Sequence, residues 1–147
     1  MEPARMVDVS QKPLTEREAV AKGLVVMKAE TLSMIKSGEM PKGDVLATAQ
    51  VAGIMAAKQT SQIIPMCHPL TLDEVKVEFQ FVEGGVEIAA TVRCTGKTGV
   101  EMEALTAVAA SALTIYDMCK MVEREIRIDQ IRLFRKSGGK SGNIILK

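Results

Sequence analysis

Between Thr98 and Lys120 the chain reads T-G-V-E-M-E-A-L-T-A-V-A-A-S-A-L-T-I-Y-D-M-C-K, a run with the composition of a long helix and little that is charged in its middle. Ala, Leu and Met favour helix. Leu105, Val108, Ala109, Ala112, Leu113, Tyr116 and Cys119 recur at three- and four-residue spacing, which predicts one face built to be buried. A helix this apolar must be covered on most sides, by its own sheet and by a further subunit. Any acid on it then has to be paired or functional. Glu103, Asp117 and Lys120 are therefore the residues to explain.

Each has a plain structural alternative. Thr98 followed three residues later by Glu101 is a capping box, and a carboxylate in the first turn meets the positive end of the helix dipole. Glu103 shares the dipole but takes no part in the box. Asp117 and Lys120, three apart on one face, make either a helix ion pair worth about 0.2–0.5 kcal/mol or an acid/base pair. Aspartate is a poor helix-interior residue and here follows Tyr116 in the most apolar turn, which favours the second.

A chain of 147 residues is expected to form one domain over 1–147, burying roughly 68–70% of its unfolded surface without staples. Cys67, Cys94 and Cys119 are odd in number and form no C-x-x-C pair, so neither a disulfide framework nor a metal site is read, and the expected compartment is the reducing cytoplasm. The apolar run ends in Asp117 and holds two threonines and a serine, which suits a covered helix and not a membrane span. A net charge of +1 argues against a nucleic-acid coat, and three Phe, one Tyr and no Trp leave no stacking platform for single strands. Arg124 to Lys147 carries seven basic residues against two acids, a balance suited to a small phosphorylated ligand.

Along the chain, residues 1–12 read as irregular, 17–28 as a strand, and Ala29 to Ser37 as a short helix stopped by Gly38 and Pro41. Asp44 is placed to cap a second helix from Val45 to Ile64, with Ala47, Val51, Ile54, Met55 and Ala57 on its apolar side and Pro65 ending it. From Thr71 the period changes to two. Val75, Val77, Phe79 and Phe81 alternate with polar residues, Glu83-Gly84-Gly85 turns the chain, and Val86, Ile88, Ala90 and Val92 complete a hairpin. A last strand holds Ile126, Ile128, Ile131, Leu133 and Phe134, its broken alternation predicting a bulge. The order β-α-α-β-β-α-β predicts an α+β domain, an antiparallel sheet with helices on one face.

Two loops carry candidate chemistry. Ile64-Pro65-Met66-Cys67-His68-Pro69 holds the only histidine, stiffened by two prolines. Its side chains suit a ligand contact or proton shuttle, against a simple helix-to-strand turn. Lys136-Ser137-Gly138-Gly139-Lys140-Ser141-Gly142 is basic and glycine-rich, suited to cradle phosphate with its amides, against a solvated flexible loop. It lacks the earlier glycine of a Walker A motif, because Phe134 stands there. A third lysine-glycine turn, Thr95 to Gly99, leads into the acidic helix.

Taken together, Met6-Val7-Asp8-Val9, Lys42-Gly43-Asp44-Val45, Ile64 to Leu70, Thr95 to Thr106, Ala112 to Lys120 and Lys136 to Gly142 make the chain closely resemble the molybdenum cofactor biosynthesis protein C family, the cyclic pyranopterin monophosphate synthases. The resemblance runs through nearly the whole chain. It implies a ferredoxin-like fold, a hexamer built as a trimer of dimers, and an enzyme that converts cyclised dihydro-GTP to cyclic pyranopterin monophosphate and diphosphate. It implies no protein-bound cofactor. By the same resemblance the substrate contacts fall on Met66, Cys67, His68, Met102 and Glu103, the phosphate-handling lysines on Lys42 and Lys140, and the catalytic pair on Asp117 and Lys120, with Arg17 and Lys58 as further basic contacts. Glu103 and Asp117 are fourteen residues apart. They therefore lie roughly 21 Å apart along one helix, which predicts a site shared between two subunits. The rival readings are a nucleotide-binding oligomeric module without turnover and an oligomerising structural protein with a basic rim.

Overall fold

The computed structural model describes residues 1–146, so Lys147 of the basic tail lies outside the described residues. Five strands form one antiparallel sheet: β1 (Thr15–Val26), β2 (Glu74–Val82), β3 (Gly85–Gly96), β4 (Arg127–Ser137) and β5 (Ile144–Ile145). Their spatial order is β2-β3-β1-β4-β5. The helices are α1 (Ala29–Ser37), α2 (Val45–Lys58), the single turn α3 (Thr60–Ile63) and α4 (Glu101–Cys119). The order of the first four strands, with helices between β1 and β2 and between β3 and β4, is the ferredoxin-like arrangement expected.

Period-2 patterning builds the sheet. Residues 19, 21 and 25 of β1 lie opposite Val92, Ala90 and Val86 of β3, and Val77 of β2 lies opposite Ala90, so one face is a continuous apolar surface. The other face is polar. Glu74, Arg93, Glu18 and Arg135 form a ladder of ion pairs across four strands, at 3.7–4.0 Å. Helices therefore cover one side only, with α4 lying across β1, β3 and β4.

The bulge expected in the last strand falls at Gln130, whose φ of 57° is left-handed, and the β1–β4 register shifts between Lys22 and Leu24. Across from it stands Gly23, where a Cβ would sit 2.7 Å from Val108 of α4. The helix can approach the sheet there only because that position is glycine. β5 was not foreseen; it pairs Ile144 with Lys136 and Ile145 with Arg135, folding the chain after the glycine loop back on β4.

Three helical details depart from expectation. The second helix does not run to Ile64: it breaks at Gln59, because the Thr60 hydroxyl donates to the carbonyls of Ala56 and Ala57 and competes with the backbone ladder. Its buried stripe is Val45, Ala49, Gly53 and Ala57, while Ala47, Val51 and Met55 face outward. Small residues win this face because α2 runs antiparallel against α4 at close range. The Ser111 hydroxyl reaches the Ala49 carbonyl at 2.8 Å, and a Cβ at Gly53 would collide with the same hydroxyl. The Thr98–Glu101 capping box does not form either. α4 starts at Glu101 with Val100 as N-cap and no side-chain cap, and Glu101 instead pairs with Lys136 at 3.8 Å. Asp44 does cap α2, accepting from the Ala47 amide at 3.1 Å.

Candidate functional site

α4 is the axis of the site, and its two ends differ in chemistry. At its C-terminal end Asp117 accepts from two ammonium groups at once: Lys42 Nζ stands 2.9 Å from Oδ2, and Lys120 Nζ stands 2.9 Å from Oδ1. Lys120 arrives by helical spacing. Lys42 arrives from the α1–α2 turn, because the antiparallel packing of α2 on α4 sets the start of one helix beside the end of the other. The hydrogen bonds from Lys42 and Lys120, and then their charge, hold the Asp117 carboxyl down to about 2. Asp117 is thus a permanent carboxylate at neutral pH. Its side chain is half exposed, not covered as the apolar sequence around it implied. Leu113, one turn earlier, is 62% exposed and likewise leaves the face expected to be buried.

The N-terminal end carries the opposite arrangement. Glu103 is only 4% exposed, and burial raises its pKa, with the Glu101 carboxylate adding to the rise. Beside it lies the loop after α3. Burial pushes the Cys67 thiol up, and the Glu103 and Glu101 carboxylates push it further, so Cys67 is a protonated neighbour and no ready nucleophile. Met66 is exposed, and Met102 is half-buried beside Glu103 in the first turn of α4. Lys140 is exposed in the glycine loop.

His68 reveals a contact that sequence reading missed. Its Nε2 lies 2.6 Å from the Val7 carbonyl. A carbonyl only accepts, so Nε2 carries the proton and a neutral His68 keeps its lone pair on Nδ1. The N-terminal segment is held there by its own turn, in which Asp8 accepts from the Ser10 amide at 2.8 Å, and Lys97 Nζ reaches the Ser10 carbonyl at 3.5 Å. The signal available in sequence was Asp8-Val9-Ser10, a turn-forming triplet in which an Asx side chain bonds the amide two residues on.

The structure therefore places the candidate residues in two groups. Cys67, with its loop neighbours Met66 and His68, lies near Glu103 at the start of α4, where Met102 also stands, and Lys42, Asp117 and Lys120 meet at the helix's other end. Within one chain the helix itself keeps the groups roughly 21 Å apart. Among the described residues no group of three or more His, Cys, Asp or Glu side chains is disposed to hold a metal ion. No helix among them is long and apolar enough to cross a membrane.

The chain is similar to known proteins over nearly its whole length. The protein from Chloroflexus aurantiacus named cyclic pyranopterin monophosphate synthase is 61% identical over 142 residues, covering 95% of this chain and 87% of its own length. The synthase of that name from Desulfitobacterium hafniense is 62% identical over 143 residues, covering 97% and 88%. The one from a Roseiflexus species is 60% identical over 144 residues, covering 97% and 91%. The model of the MoaC family matches residues 6–139, a span that takes in the Val7–Ser10 turn, both groups of candidate residues and the first glycines of the basic loop. With both ends of α4 inside that match, the chain belongs to the MoaC family.

Proposed function

We propose that this chain is a cyclic pyranopterin monophosphate synthase, a lyase of molybdenum cofactor biosynthesis that converts (8S)-3′,8-cyclo-7,8-dihydroguanosine 5′-triphosphate to cyclic pyranopterin monophosphate and diphosphate. Three relatives bearing that name, at about 60% identity over nearly the whole chain, support the reading, in which 1–147 is taken as one synthase domain. The observation that carries the chemistry is the Lys42–Asp117–Lys120 cluster. Two ammonium groups fixed 2.9 Å from one carboxylate form a preorganised cationic surface. A sugar hydroxyl attacks the α-phosphorus as diphosphate leaves, and these cations neutralise the charge that develops on it.

While Lys42 and Lys120 are bound to it, the Asp117 carboxyl is held low and is a weak base. Its part is to orient the two ammonium groups, and Lys120 is the candidate proton donor, its amine able to take up a proton only after it has given one to the substrate. Glu103, buried with a raised pKa, is suited to hold or move a proton on the purine-derived ring, and His68 Nδ1 and the Cys67 thiol offer the ring further hydrogen bonds. Lys140 and the glycine loop take the phosphates.

One substrate needs both half-sites, and one chain cannot bring them together. A two-fold partner whose α4 start meets this chain's α4 end completes the site, and each dimer then has two such composite sites. Three exposed apolar side chains, Leu113 on α4 and Val51 and Met55 on α2, support a second subunit on this side. The assembly is a hexamer made of three such dimers, working in the cytoplasm. Incubation with the cyclised dihydro-GTP and measurement of diphosphate release tests the reading. Release at the rate of product formation supports it, and none would favour a binding module without turnover.

A further inference from the structure

We infer that Arg17 is a positioning residue that latches the glycine loop to the turn leading into α4, so that the phosphate-handling amides and Lys140 are set in place before substrate arrives. Arg17 stands on the helix-covered side of β1, opposite Cys94, and is 9% exposed. Its Nε donates to the Gly96 carbonyl at 2.9 Å and its Nη2 to the Lys97 carbonyl at 3.3 Å. The glycine loop closes over the other side of the guanidinium. Gly138 and Gly139 have left-handed φ values of 94° and 74°, and both lack room for a side chain. A Cβ at Gly138 would strike the Glu16 carbonyl, and one at Gly139 would strike Arg17 Nη1.

The guanidinium is therefore a flat plate between two loops, with two edges committed to carbonyls and a third under Gly139. Two of its five N–H groups are thus committed to carbonyls of the turn before α4. The Lys136–Glu101 pair at 3.8 Å joins the base of the glycine loop to the first turn of α4 a second time. What Arg17 offers by this placement is register: the amides of one loop are fixed relative to Glu101 and Glu103 at the start of the helix. Lysine cannot substitute, because one ammonium lacks the planar fork that spans two carbonyls and fits beneath a glycine.

This inference deepens the synthase reading and rests on it for what the loop binds; the latch itself does not. Arg17→Lys, Arg17→Gln and Gly139→Ala should be made in the full chain. Each would be compared with the parent by amide hydrogen exchange over 95–99 and 137–142, by titration with inorganic diphosphate, and by kcat and KM. Exchange should quicken in both segments for Arg17→Lys as much as for Arg17→Gln. Diphosphate affinity should fall at least about tenfold, the scale of a lost charge-assisted hydrogen bond, with KM rising more than kcat falls. Gly139→Ala should reproduce this pattern with the arginine still present, and it carries the test if Arg17→Gln does not fold. Arg17→Lys with near-parental diphosphate affinity and unchanged exchange in both segments would overturn the latch in favour of a direct charge contact. Quickened exchange with diphosphate affinity unchanged in every variant, Lys140→Ala included, would support the latch while removing the phosphate role of the loop.

Discussion

Lys42 and Asp117, 75 residues apart in the chain, are joined Nζ to Oδ2 at 2.9 Å, and Lys120 occupies the other carboxylate oxygen at the same distance. The cluster sits on the surface, where ion pairs add little to stability. Its geometry is thus available for chemistry without the fold depending on it. Asp117→Asn, Lys120→Ala and Lys42→Ala should each lower turnover by about 10²–10⁴-fold, the range for losing a positioned proton-transfer or charge-stabilising group, while the melting temperature stays near the parent's. Steady-state kinetics alongside thermal unfolding decide this. A variant that retains near-parental turnover has no catalytic role, and one that unfolds restores the ion-pair reading.

Glu103 makes the opposite prediction. Its folded-state pKa is raised by burial, so the group favours folding in its protonated form. That contribution is fully present below the unfolded pKa and is lost as pH rises through the folded value. Glu103→Gln removes the buried charge and keeps the shape, and should raise the melting temperature at neutral pH by a few degrees while abolishing activity. The difference should shrink as pH falls toward the ordinary carboxylate range. A variant less stable than the parent at pH 7 would mean that the carboxylate is held by favourable contacts.

The closeness of α2 and α4 can be tested at Gly53. A Cβ there meets the Ser111 hydroxyl and approaches within 3.0 Å of the Ala107 carbonyl oxygen. Gly53→Ala should therefore cost about 1–3 kcal/mol, the usual range for overpacking, read from denaturant midpoints. Ser111→Ala in the same chain should recover part of the loss, since it removes the tightest of three close approaches, the third being Val77 at 3.2 Å. No recovery would place the whole cost on the Ala107 and Val77 contacts.

Much of this was legible in the sequence because local patterns determined it. The alternation from Val75 to Val92 made the hairpin readable, and Gly38, Asp44 and Gly84 marked a helix end, a helix start and a turn by their own conformations. The broken alternation between Ile128 and Ile131 pointed to the bend or bulge that the structure has at Gln130. What escaped was set by tertiary contacts. Hydropathy put Val51 and Met55 of α2 and Leu113 of α4 inward, yet close helix packing selected Ala49, Gly53 and Ser111 in their place. Thr98 could not show that the Lys136–Glu101 pair would displace its capping box. At the site, Asp117 and Lys120 were readable from helical spacing. The third member, Lys42, stood out only as a basic residue of the resemblance until the fold carried it across 75 residues, and the Val7–His68 contact depended equally on chain return.

The central claim is that the two ends of α4 serve one site only when two subunits meet. Glu103→Gln and Asp117→Asn, each inactive alone, should be mixed in equal amounts under conditions shown by mass-tagged subunits to permit exchange, and diphosphate release followed. In a mixed dimer one composite site carries both lesions and the other carries neither, so activity should return to about a quarter of the parent's, the share expected for random pairing across a two-fold interface. Proven exchange with no recovery would place each complete site within a single chain and contradict the account.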